Sequence, residues 1–281
     1  MRRERRIIEL PGRPSLEIID QGDPKGTPLV LLHGVTDSCR SFDLAMRYLP
    51  GAVRAISVSH RGHGGSDKPS EGYNTNEYAA DLLALLDALG VESPVIAGHS
   101  MGSMTAQRFA FENPERLSGL VLVSAFGTFA DKVGIREFLE NGILPLEDPI
   151  DPGFVREFQE STFSRPIPEA FFETVIGESL KVPARIWKAA CSSFFDDDVF
   201  ERIGEISART LLIWGDEDAY ASRNDQEILL DAIEGSRLKI DQGTGHAPQW
   251  EEPERFARDL VNFARKIEVV RKIETEVAGV I

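Results

Sequence analysis

Short apolar runs recur along this chain at spacings that leave room for a crossover helix between them, and this restricts the fold more than any other feature. They read "LVLLH" (29–33), "VRAISVS" (53–59), "PVIAG" (94–98) and "GLVLVSA" (119–125), and the rhythm resumes with "TLLIWG" (210–215) and "RLKIDQ" (237–242). The first four are rich in Val, Ile and Leu and barely alternate in polarity, as strands covered on both faces do. Helical patterns separate them. The clearest, "NTNEYAADLLALLDALG", opens on capping Asn and Thr residues and stops at Gly90. Ahead of the first run, "RRIIELPGRPSLEIIDQ" reads as a β-hairpin closed by "PGRP". These patterns predict an α/β fold with a mostly parallel, doubly wound sheet.

Residues 126–207 break the alternation. They hold helical segments and frequent prolines but no convincing strand, and they are too many for a structureless loop in a compact domain. The expected organisation is a core built from residues 1–125 and 208–281, with 126–207 inserted as a helical cap over the carboxyl edge of the sheet.

Charge and composition exclude several classes of function. A formal net charge of −15 repels phosphate backbones, so no nucleic-acid partner is expected. The basic "MRRERR" is followed by no long apolar stretch, and no run approaches the length of a membrane span. Cys39 and Cys191 are far apart and outside any C-x-x-C, which suggests two free thiols in a cytoplasmic protein. No metal-ligand spacing occurs among the histidines and cysteines, so neither metal nor cofactor is expected. Near the C-terminus, Ile267, Val270, Ile273 and Val277 recur at helical spacing. Their stripe packs either on the sheet's outer helices or on a second copy, a possible homodimer.

The chemistry gathers where strands end. In "IAGHSMGSM" Ser100 stands between Gly98 and Gly102 at a strand-to-helix corner, the G-x-S-x-G spacing that leaves a serine oxygen exposed on a tight turn. The first run ends in His33-Gly34-Val35, "TLLIWG" leads into Asp216-Glu217-Asp218, and "RLKIDQ" leads into Gly243-Thr244-Gly245-His246. A serine hydroxyl is a weak nucleophile until a base takes its proton, and a histidine base needs a carboxylate to fix its tautomer. Ser, Asp and His thus stand at three strand ends, the usual ligand edge of a parallel sheet.

With "LLHG", "HRGHGGSDKP", "GHSMG", "WGDEDAY" and "GTGHAPQWEEPERF" in this order, the chain resembles the α/β-hydrolase fold family over about residues 16 to 267. The resemblance implies Ser100 as nucleophile, His246 as base and Asp218 as acid, with Asp216 bonding loop backbone. It implies an oxyanion hole from the backbone N–H groups of Val35 and Met101. His33 is most often structural in this family; His60, His63 and His99 compete less well for the base. Where many relatives carry an aspartate before the R-G-x-G-x-S turn, this chain has Ser59. Dehalogenases and most epoxide hydrolases of this fold need aspartate at the elbow, so Ser100 points to acyl transfer. The expected activity is hydrolysis of a small to medium neutral ester or lactone. His33, Phe126, Phe129, Trp187 and Phe194 are candidate pocket residues, and the acidic "FFDDDVF" (194–200) is expected to be a solvated helix start. A cofactor-free haloperoxidase-type perhydrolase, a C–C bond hydrolase and a ligand receptor of the same fold remain alternatives.

Overall fold

The computed structural model describes the backbone of residues 2–278 and the side chains of residues 2–269. Strands β1 (Arg3–Leu10) and β2 (Arg13–Gln21) form the antiparallel hairpin expected from "PGRP". The remaining strands are β3 (Thr27–Leu32), β4 (Val53–Val58), β5 (Val95–His99), β6 (Gly119–Val123), β7 (Thr210–Gly215) and β8 (Arg237–Asp241). Together they make one eight-stranded sheet in the order β1-β2-β4-β3-β5-β6-β7-β8. The pairings from β4 to β8 are all parallel. The chain leaves β3 to one side for β4, then returns to the other side for β5. The ends of β3 and β5 therefore flank the point where the winding reverses, and a crevice opens there.

Helices cover both faces. The short α1 (Asp43–Met46) and the long α10 (Pro253–Ala278) pack on one face, burying Met46, Phe256 and Leu260. On the other lie α2 (Thr75–Leu89) and α3 (Met101–Glu112), contributing Tyr78, Leu82, Met104 and Phe109. Asn74 caps α2 by accepting the Glu77 N–H, and Gly90 ends it in the left-handed conformation at φ = 61°.

The segment between β6 and β7 is helical and contains no strand. It comprises α4 (Val133–Phe138), a π-helical turn over Leu139–Ile143, α5 (Pro152–Glu160), α6 (Glu169–Ser179) and α7 (Ala184–Ser193). Prolines at 152, 168 and 183 stand at or beside the starts of α5, α6 and α7, where a missing N–H costs no helical bond. After β7 come α8 (Arg223–Ala232), closed by a capping box between Ser222 and Asp225, and the short α9 (Pro248–Glu251).

Several local expectations are revised. The "FFDDDVF" stretch is not simply solvated: the Asp197 side chain is buried, caps a 3₁₀ turn by accepting the Val199 N–H, and pairs with Arg108 of α3 at 2.9 Å. In the N-terminal hairpin Arg5 pairs with Glu17 and Arg6 with Asp20. At Ser59, a carboxylate arrives from elsewhere. Glu17 of β2 accepts the Gly65 N–H at 2.8 Å and the Ser59 hydroxyl at 3.1 Å, and so holds the glycine-rich turn. Ile267 is buried against the sheet at Gly119, whereas the side chains of Val270, Ile273 and Val277 lie outside the described residues.

Candidate active site

β5 ends at His99 and α3 begins at Met101, so Ser100 must turn the chain from strand to helix in one residue. It does so at φ = 52°, ψ = −118°, a conformation that costs a non-glycine residue free energy. The turn closes only because its neighbours lack side chains. A Cβ on Gly98 would lie 2.1 Å from the Gly102 carbonyl oxygen, and one on Gly102 would lie 2.3 Å from that of Leu32. The strained corner puts Ser100 on the wall of a cavity at the carboxyl edge of the sheet.

His246 lies on the same wall, in the loop between β8 and α9. Its Nδ1 is 2.9 Å from both oxygens of Asp218, a bifurcated contact in which Nδ1–H donates and Nε2 is the ring nitrogen left without a carboxylate partner. Asp218 is fixed in turn by the backbone N–H groups of Tyr220 (2.8 Å) and Ala221 (3.0 Å). Asp216, two residues earlier, turns away and accepts the Gly243 N–H. Among the described residues no hydrogen bond joins the Ser100 hydroxyl to the His246 ring. Such contacts are often loose without a ligand and tighten when one binds.

Two backbone donors flank Ser100. The Met101 N–H is the first of α3, where the helix supplies no acceptor of its own. The Val35 N–H, in the loop after β3, finds no backbone acceptor. His33 sits behind that loop rather than in the cavity. Its Nδ1–H donates to the Gly34 carbonyl oxygen (2.7 Å) and its Nε2 accepts the His60 N–H (3.0 Å), which fixes one tautomer. Burial and the neighbouring His60 and His63 keep His33 neutral, well below the usual imidazole range, and burial pushes His60 down to about 3 and His63 to about 4.

Sequence reasoning underused His99. Its Nε2–H donates to the backbone carbonyl of His246 at 2.8 Å, and the two rings lie 5.0 Å apart, so it braces the loop that carries the second histidine. Burial pushes it down to about 3, so it braces as a neutral ring. The position between glycine and serine carries no signature by itself, which is why only the contact exposes it.

Of the five pocket candidates, Phe126, Phe129 and Phe194 line the cavity, joined by Phe138, Phe158 and Phe195. Trp187 does not reach it: the indole is fully buried behind Phe158, with ring centres 5.2 Å apart. The rings of Phe138 and Phe158 stack almost parallel at 5.8 Å. Polar side chains at the cavity are few; Asp37, Gln159, Thr162 and Tyr220 are among them, and no lysine or arginine among the described residues lines it. Among the described residues no cluster of three or more His, Cys, Asp or Glu side chains could hold a metal ion, and no helix is long and apolar enough to cross a membrane.

The chain and its fold have relatives. A 2-hydroxy-6-oxononadienedioate/2-hydroxy-6-oxononatrienedioate hydrolase of Paraburkholderia xenovorans is 29% identical, over 92% of this chain and 93% of that one. An esterase from Rhodococcus sp. ECU1013 superposes with a TM-score of 0.81 at 25% identity, covering 95% of this chain and all of its own. An enzyme described as degrading N-acyl homoserine lactones superposes with a TM-score of 0.76 at 28% identity, covering 92% of this chain and all of its own. The alpha/beta hydrolase family matches residues 29–259, which include every strand from β4 to β8 and all of the residues described around Ser100. This chain is therefore a member of the α/β-hydrolase family.

Proposed function

We propose that the protein is a serine carboxylic-ester hydrolase acting on small to medium neutral esters or lactones through an acyl-enzyme. The observation that carries this reading is the strained Ser100 corner on one cavity wall with His246, whose Nδ1 is held by Asp218. In this reading His246 Nε2 takes the Ser100 proton as the oxygen attacks the acyl carbon. Asp218 stabilises the imidazolium, and the Val35 and Met101 N–H groups receive the negative charge that develops on the carbonyl oxygen. His246 then protonates the leaving alkoxide. Water, deprotonated by the same ring, cleaves the acyl-enzyme and restores Ser100.

The β6–β7 segment serves as a cap in this reading, since its phenylalanines wall the cavity. The likeness to an esterase and to a lactone-degrading enzyme supports the substrate class. The Paraburkholderia relative is named for a dioate, which carries two carboxylates. A cavity lined by phenylalanines and Asp37, without a cation, suits a neutral ester better than a dianion.

Hydrolysis of p-nitrophenyl butanoate tests the reading. Wild type turns over, and Ser100→Ala loses at least about 10³-fold in kcat while keeping its folded circular dichroism spectrum. Hydrolysis by the alanine variant at a rate near wild type overturns it.

A further inference from the structure

One wall of the cavity is polar, and ester hydrolysis as described leaves it unused. Asp37, in the loop after β3, and Gln159, near the end of α5, meet there across the seam between the sheet and the β6–β7 segment. The Gln159 amide nitrogen lies 3.3 Å from Asp37 Oδ1, 3.2 Å from Thr36 Oγ1 and 2.8 Å from Ser179 Oγ, and its two hydrogens are shared among these three acceptors. Ser41 donates to Asp37 Oδ2 at 3.1 Å. These bonds to the carboxyl are on the long side and come from neutral donors. The charged group that acts on it, Glu178, is another carboxylate.

A carboxylate offers about four acceptor positions, and two are filled here. For holding Gln159 and Ser41 alone, an asparagine or serine would do as well without burying a charge. Burial in fact pushes the Asp37 carboxyl up to about 7. A carboxyl on a cavity wall with acceptor positions still unfilled is a place where a ligand donor can bind. Asp37 also follows two residues after Val35, whose N–H faces the proposed oxyanion. A ligand group that reaches Asp37 is therefore close to the reacting carbonyl.

We propose that Asp37, positioned by Gln159 and Ser41, determines specificity by accepting a hydrogen bond from an O–H or N–H group on the substrate. The substrate class is thereby narrowed to esters or lactones whose apolar body carries one neutral donor within a few atoms of the carbonyl. This rests on the ester-hydrolase reading of the same site. A neutral donor fits better than an ammonium group, which brings three N–H groups and a full charge to a wall with few acceptors.

Matched ligands test it. p-Nitrophenyl N-acetylglycinate and p-nitrophenyl 4-oxopentanoate differ only by N–H in place of CH₂; p-nitrophenyl 3-hydroxybutanoate and 3-methylbutanoate differ by O–H in place of CH₃. Wild type favours the donor-bearing member of at least one pair by about tenfold or more in kcat/KM. Asp37→Leu brings that ratio to about one, and Asp37→Asn, which keeps an acceptor oxygen, retains part of it. The ratio is insensitive to a uniform loss of active protein, which a merely structural role would produce. A wild-type ratio near one in both pairs, or an unchanged ratio in Asp37→Leu, overturns the proposal. If Asp37→Leu does not fold, the wild-type and Asp37→Asn ratios decide it.

Failure of every ester to turn over would overturn the hydrolase reading instead. Binding of the corresponding methyl esters to Ser100→Ala, followed by NMR titration, then decides the role of Asp37 without turnover. Tighter binding of methyl 4-aminobutanoate than of methyl N-acetylglycinate would overturn the neutral-donor assignment.

Discussion

Asp216 and Asp218 show how much two residues of spacing can matter. Both sit beyond β7, yet Asp218 alone meets the His246 ring, while Asp216 is occupied by the Gly243 N–H. Loss of the carboxylate beside a catalytic histidine leaves the ring in the wrong tautomer. Asp218→Asn is thus expected to lower kcat by on the order of 10⁴, and Asp216→Asn by far less. Steady-state kinetics on the two variants side by side check this; a crippled Asp216→Asn would reverse the roles. Ser100, Asp218 and His246 were legible in the sequence because each stands at a strand end within a short motif. Asp37 was not. Its partner Gln159 lies 122 residues away, and neither residue type carries a signature until the fold brings them to one wall.

At the scale of elements, α3 links the Ser100 corner to the β6–β7 segment. Its first residue follows Ser100, and near its other end Arg108 bonds Thr75 of α2 at 2.6 Å and pairs with Asp197, Asp198 and Glu112. The Arg108 and Asp197 side chains are both 3% exposed, so removing Arg108 leaves a buried carboxylate without its cation. Arg108→Met is expected to destabilise the protein by roughly 3–5 kcal/mol, with part of the loss recovered in Arg108→Met/Asp197→Leu. Urea denaturation of the single and double variants measures both. A loss under about 1 kcal/mol would place the pair among ordinary surface contacts. The strands were legible because their apolar runs hardly alternate, and most sequence boundaries fall within two residues of the observed ones. Asp197 was misjudged for a physical reason: an acidic run looks solvated unless one knows that a helix from the core presents an arginine to it.

For the molecule as a whole, pH acts through groups of opposite sign. His33, His60, His63 and His99 are neutral in the fold because burial lowers their proton affinity. Their contribution to stability is full above the unfolded value of about 6.5 and is lost as pH falls below it, on the order of 2 kcal/mol by pH 5 for each of His60, His63 and His99. Asp37, pushed up to about 7, acts the other way and favours the fold as pH drops. Relief of the −15 net charge would also favour the fold on acidification. Burial raises Asp241 and Glu251 in the same direction as Asp37, but four buried histidines outweigh these carboxyls, so the urea midpoint is expected to fall between pH 7.5 and pH 5. A midpoint that rises instead would show that charge repulsion dominates. The Arg108 contact has one more consequence at this scale. Arg108 stands eight residues beyond Ser100 on a single helix, about 12 Å along its axis. Ser100 on the cavity wall and the contact that ties down the β6–β7 segment are thus marked off on one helix, like two graduations on a rule, so a shift of α3 carries both together.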